Sequence, residues 1–112
     1  MAYDEALAAG IRELMDGEPN LSEQKMFGGL AFLIGGNMAI AASGQGGVLV
    51  HVDPEESDEL LATTDADEFE MRGRVIAGWL RVHPKHLSPQ TKLAKWVELG
   101  AAYARSLPPK GK

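Results

Sequence analysis

The sequence predicts a single α+β domain: a helix, a three-stranded antiparallel meander, a second helix, a fourth strand and a C-terminal helix. Three observations carry this. Apolar residues recur at threes and fours near both ends of the chain. Between them, short apolar runs alternate with glycine-rich turns. The chain has 112 residues, which suits one domain over residues 1–112 and leaves no room for two.

Tyr3, Leu7, Ile11, Leu14 and Met15 follow one helical face, and Gly17 and Pro19 stop it, so a first helix is expected from about Ala2 to Asp16. Leu30 to Ile34 reads as a strand, Gly35-Gly36-Asn37 as a tight hairpin turn and Met38 to Ala42 as the return strand. A second turn through Gly44, Gly46 and Gly47 leads to a third strand, Val48 to Val52. Asp53-Pro54 is a helix start, with Asp53 as cap and proline at the first helical position; Leu60 and Leu61 form the expected buried pair. The acidic stretch Asp65 to Glu70 reads as a connection. Arg74 to Val82 reads as the fourth strand, with Gly78 marking a bulge or close backbone approach, and its place in the sheet is left open. Ser88-Pro89 opens the last helix, whose buried face includes Leu93, Trp96 and Val97; a frayed tail is expected from about residue 108. The expected core is Leu7, Ile11, Phe32, Leu49, Leu60, Trp79, Leu93, Trp96 and Val97.

With 45% hydrophobic and 24% charged residues the composition is that of a globular domain. No cysteine is present, which excludes disulfides, Cys-ligated zinc and thiol catalysis. The acidic N-terminus does not resemble a signal peptide, and the most apolar stretch, Met26 to Ala42, is broken by four glycines and Asn37, so the chain reads as cytoplasmic with no membrane span. Net charge is −5, unevenly spread: residues 1–70 hold fifteen acids against two basic residues, and residues 71–112 hold nine basic residues against Glu98 alone. Such a split can mark a basic binding face, or two halves that interleave and attract.

Candidate chemistry is sparse. The glycine clusters do not lead from strand into helix, as phosphate-cradling loops do, and read as turns. His51, His83 and His86 lack the spacing of a metal site, and Ser43 lacks a nucleophile elbow. No cofactor is expected. Arg74 and Arg81, an odd number apart, would face opposite sides of a regular strand, which argues against one arginine stripe. The acidic total argues against direct DNA binding.

The segment Met26-Phe27-Gly28-Gly29-Leu30-Ala31-Phe32 before a glycine hairpin resembles the start of the N-terminal domain of TfoX/Sxy family proteins. The resemblance continues through Val48 to Val52, Met71-Arg72-Gly73-Arg74, Gly78-Trp79, Trp96-Val97 and Ala104 to Pro108. It covers most of the chain, and the order and spacing of the pieces make it specific. It implies an α+β, bacterial, nonenzymatic regulatory or protein-binding domain, in a family named for a regulator of natural competence. It brings no catalytic residues. The chain reads as a short, single-domain member, ending at Lys112 without the second domain of the named regulator, and it carries alanines in the second hairpin strand where some relatives carry cysteine.

The expected function is therefore a non-catalytic interaction domain with a protein partner. The expected binding surface is Met26, Phe27, Gly28 and Gly29 with Arg72 and Arg74. The alternative is a small-molecule-binding protein or small enzyme using the glycine-rich segment Met26 to Gly29. Pairing with a second copy is expected through an open sheet edge, either Val48 to Val52 or the fourth strand.

Overall fold

The computed structural model describes residues 4–26, 28–44, 46–71, 73–87 and 90–108, with backbone alone at Met26, Met71 and Gln90. Tyr3, the Ser88-Pro89 helix start and the expected tail beyond Pro108 fall outside these residues. The elements run α1 (Glu5–Leu14), β1 (Leu21–Met26), β2 (Gly29–Ile34), β3 (Asn37–Ala42), β4 (Val48–His51), α2 (Pro54–Thr63), β5 (Asp67–Met71), β6 (Arg74–Val82), a 3-10 turn (Pro84–His86) and α3 (Gln90–Ser106). All six strands form one antiparallel sheet in the order β1-β2-β3-β4-β6-β5.

The α+β class and the expected order of elements hold, and two strands are added to them. Leu21–Met26 pairs with β2 as an edge strand, and Asp67–Met71, expected as a connection, pairs with β6 as the other edge. Both are rich in polar residues because an edge strand buries little of its surface. The fourth expected strand is β6, antiparallel to β4. Neither strand expected to pair with a second copy is therefore a sheet edge: β4, within Val48 to Val52, is paired by β3 and β6, and the fourth strand, β6, is paired by β4 and β5.

Local chemistry sets the boundaries. Helix α1 begins after Asp4 rather than at Ala2, because the Asp4 carboxylate accepts the Ala6 and Leu7 N–H groups at 2.9 and 3.1 Å. Asp53 caps α2 in the same way, accepting from Glu55 N–H at 2.9 Å, with Pro54 at the first turn. The β2–β3 turn has positive φ at both Gly35 (60°) and Gly36 (85°), the primed geometry that matches strand twist.

The three helices cover one face of the sheet. A complete cross-strand row on that face runs Glu23–Phe32–Ile40–Val50–Leu80–Glu68, apolar in its four inner strands and acidic at both edges. Ile11, Met15, Leu93, Trp96, Val97, Ala101 and Ala104 complete this core from the helices. Five of the expected core residues, Ile11, Phe32, Leu93, Trp96 and Val97, are buried there. Leu7 and Leu60 pack half-buried against it. Leu49 belongs to a separate cluster, and Trp79 is half-buried against His51.

Helix α3 lies directly on the backbone of β3. The β2–β3 register shifts between Phe32 and Leu33, so Ala39 is an extra residue in β3. Gly100 sits on it: a Cβ at that position would overlap the Ala39 carbonyl. The far end of α3 is tied by Asn37, 5% exposed, whose Nδ2 donates to the Pro108 carbonyl at 2.8 Å. Among the described residues no helix is long and apolar enough to cross a membrane.

Two substitutions check this packing. In an ordinary helix interior Gly→Ala stabilises by about 1 kcal/mol. Gly100→Ala should instead destabilise, by about 1–3 kcal/mol, because the new methyl overpacks a backbone contact. Trp96→Ala should cost about 3–5 kcal/mol, since the ring is 4% exposed. Urea unfolding of both variants measures these differences, and a stabilised Gly100→Ala would remove the close α3–β3 seat.

Candidate functional site

The helix-free face of the sheet is the first candidate. Residues that alternate with the core row point there, and their registers join into one line across all six strands: Gln24–Ala31–Ala41–Leu49–Arg81–Asp67. Ala31, Leu33 and Ala41 are buried at its centre, with Met38 and Leu49 packed beside them. Among the described residues this second cluster consists of strand side chains only. Alanines at two of its positions keep the middle of the face low. At the β5 side, Asp67, Glu68, Phe69, Glu70 and Arg81 line a shallow cleft of about 510 Å3.

At one end of the sheet, His51 and Trp79 are cross-strand neighbours. Their rings stack at 3.9 Å and 8°, and the Tyr103 ring of α3 meets His51 edge-on at 5.0 Å. His51 Nδ1 lies 3.1 Å from the Met38 carbonyl, which can only accept, so Nδ1 carries the proton. Gly78 permits this arrangement. Its φ is +88°, and a Cβ there would press on the Val52 carbonyl and the Pro54 ring. The same distortion breaks the simple alternation between Arg74 and Arg81 that a regular strand would impose.

A second, smaller cleft of about 180 Å3 lies where α2 ends and α3 begins, lined by Thr63, Thr64, Asp65, His86, Lys92, Lys95 and Trp96. His86 Nδ1 is 3.5 Å from the Asp65 carboxylate. His83 caps the 3-10 turn by accepting the Lys85 N–H at 3.4 Å. The three histidines thus stand in three different settings. Among the described residues no three potential ligands cluster as a metal site.

The residues expected to form one binding surface are placed in two. Met26, Gly28 and Gly29 form the β1–β2 turn, Gly28 with φ +76°. Gly29 is required by close approach, since a Cβ would overlap the Ala42 carbonyl. Arg74 begins β6 beside the β5–β6 turn and is exposed. Phe27 and Arg72 lie outside the described residues. The two turns belong to opposite edges of the six-stranded sheet and, because β1 and β6 run the same way, to opposite ends of its strands; the edge strands alone are about 24 Å apart at ordinary strand spacing, so the turns do not make one continuous surface. Neither described cleft is lined by the Met26–Gly29 segment.

The shifted titrations mark ion pairs. Arg105 holds Glu18 through hydrogen bonds of 2.7 to 3.3 Å and lowers its carboxyl pKa; the hydrogen bond is the main cause and burial opposes it. Arg12 does the same to Glu23, at 2.6 and 2.9 Å. The pairing raises the Arg105 pKa in turn. A carboxylate whose folded pKa is depressed stabilises the fold fully above its unfolded pKa, about 4.3, and loses that contribution as pH falls through the folded value. Glu18→Gln should therefore lower stability at pH 7 by about 0.2–1 kcal/mol, the range of partly exposed pairs. The difference from wild type should shrink as pH falls below about 4. Thermal unfolding of both proteins from pH 7 to pH 3 reads this directly.

No curated protein matches the chain. A family model, described as the TfoX N-terminal domain, matches residues 13–104, from the second half of α1 to near the end of α3. That span includes the whole sheet, both clefts and the seat of α3 on β3, and the chain belongs to the TfoX N-terminal domain family.

Proposed function

We propose that this chain is a non-catalytic, regulatory protein-interaction domain that offers the helix-free face of its sheet to a protein partner. The observation that carries this is the row Gln24–Ala31–Ala41–Leu49–Arg81–Asp67, apolar in its three middle strands and polar at its ends. An apolar centre inside a polar rim is the usual anatomy of a protein interface. The two-sided alternation also supports it: β2, β3 and β4 spend apolar residues on a face that no helix needs for its own burial. The glycines of the alternative, small-molecule reading are explained by the β1–β2 turn and by the Gly29 approach to Ala42, without a ligand. Family membership supports a TfoX-like domain; the regulatory role and a cytoplasmic setting are part of this proposal.

Leu49→Lys places a charge at the centre of the row on a half-buried position. The variant should stay folded, with a stability loss of about 1 kcal/mol. Immobilised wild type and variant are then compared for proteins retained from an extract of the source cells. A protein held by wild type and lost with Leu49→Lys is expected. Identical retention by both would remove this face from the function. A parallel thermal-shift screen against metabolites and nucleotides tests the rival: a saturable shift with one small molecule, unaffected by Leu49→Lys, would favour ligand binding elsewhere.

A further inference from the structure

The sheet has two edges of different design. Strand β5 carries Asp67, Glu68 and Glu70, and its register with β6 breaks between Glu68 and Glu70. Bulges that twist an edge away and charges that repel their own copies keep an edge from pairing with itself. Strand β1 has no bulge, and its two charges, Glu23 and Lys25, are balanced rather than of one sign. Its six residues stay in unbroken register with β2, it contains no proline, and Ser22 to Lys25 are exposed. Helix α1 packs chiefly on α3 and β3 and reaches this edge through Arg12, which holds Glu23 from the helix side.

The hydrogen-bond phase of β1 decides which groups face outward. The Gly35 N–H donates to the Asn20 carbonyl at 3.0 Å, which makes 20 and 35 a hydrogen-bonded pair. Antiparallel pairs alternate, so Ser22 and Gln24 spend their N–H and C=O groups on β2. Leu21, Glu23 and Lys25 turn theirs outward. A second strand can bond only to these.

We infer that β1 pairs antiparallel with β1 of a second copy of this chain, across a two-fold axis at Gln24. In a symmetric pairing, outward residues must meet outward residues, which leaves few registers. Centring on Glu23 sets that glutamate against its own copy, and centring on Lys25 does the same to the lysine. Centring on Ser22 carries Lys25 past the end of the partner strand. Centring on Gln24 sets Glu23 opposite the partner's Lys25, and the symmetry repeats the pair. Lys25 makes no ion pair within its own chain among the described residues. Glu23 already accepts from Arg12, so each contact becomes a network of Arg12, Glu23 and the partner's Lys25. The two sheets join into one, and both sets of helices lie on the same side. This interface uses the edge and is independent of the helix-free face.

Sedimentation equilibrium from 1 to about 200 µM tests the pairing, with K25E and E23K as variants. Wild type should form dimers. Each variant alone sets like charges opposite one another twice and should raise the dissociation constant about tenfold or more. Mixed in equal amounts, K25E and E23K should form a heterodimer, because the first chain then presents acids at both positions and the second presents lysines at both. Amide hydrogen exchange gives a second reading that needs no variant: the Glu23 and Lys25 amides should become protected as concentration rises, while the Ser22 and Gln24 amides are protected throughout. A wild type that stays monomeric over this range overturns the inference. So does a dimer that K25E leaves intact, or a mixture that fails to associate when both variants are folded.

Discussion

The contact on which the rest of the structure depends is the seat of α3 on the bulged strand β3. The extra residue Ala39 raises the strand toward the helix, and Gly100 lets the helix come down onto it. Packing at backbone distance aligns a 17-residue helix with the middle of the sheet, where Leu93, Trp96, Val97, Ala101 and Ala104 reach the inner row. Both ends of the molecule are then drawn in. Arg105 near the helix C-terminus takes Glu18 from the loop after α1, and Asn37 at the start of β3 takes the Pro108 carbonyl. A buried asparagine with a specific acceptor is costly to leave unpaired, so this last tie also helps define where the chain leaves α3.

Placing every helix on one side has consequences for the other. Strands β2, β3 and β4 must still alternate, so half of their residues face away from the core. In these strands the outward positions are filled by Ala31, Leu33, Ala41 and Leu49 rather than by charges. A solvated sheet face ordinarily reads polar on alternate residues. Under the proposed function, this apolar outer face, kept flat by small side chains, is the part a partner covers.

That face also shows what can be read from the sequence. Ile11, Leu93, Trp96 and Val97 are legible because helical spacing separates buried from exposed positions clearly. The hairpin of β2 and β3 is legible from Gly35-Gly36. The two edge strands are not, because Leu21–Met26 and Asp67–Met71 bury too little to show an apolar pattern, and acids in β5 resemble a solvated loop. The outer row is hidden for the opposite reason: Gly29–Ile34 is buried at every position, so its two faces cannot be separated by hydropathy. Leu49 therefore reads as core from its apolar character, though the register puts it on the other side of the sheet. Trp79 escapes because the turn of the backbone at Gly78 redirects the strand just before it. The grouping of Met26 to Gly29 with Arg72 and Arg74 rests on sequence features alone, and only strand order shows that these are turns at opposite edges.

Strand order also changes the meaning of the charge split. The acids of residues 53–70 and the basic residues that follow are neighbours in space as well as in sequence. Asp67 stands opposite Arg81 in the β5–β6 ladder, Asp65 reaches His86, and Glu18 from the first half reaches Arg105 near the end. Adjacent strands are about 4.8 Å apart, well inside a screening length of about 8–10 Å. At that range opposite charges largely cancel as seen by a distant polyanion, even where no direct ion pair forms. Two stretches that differ so strongly in sum therefore need not produce two oppositely charged surfaces. What they do produce is a difference between edges: β5 gathers acids along its whole length, while β1 sets Glu23 and Lys25 two residues apart on one face. The sheet edge, rather than the chain half, is the scale at which charge is organised in this fold.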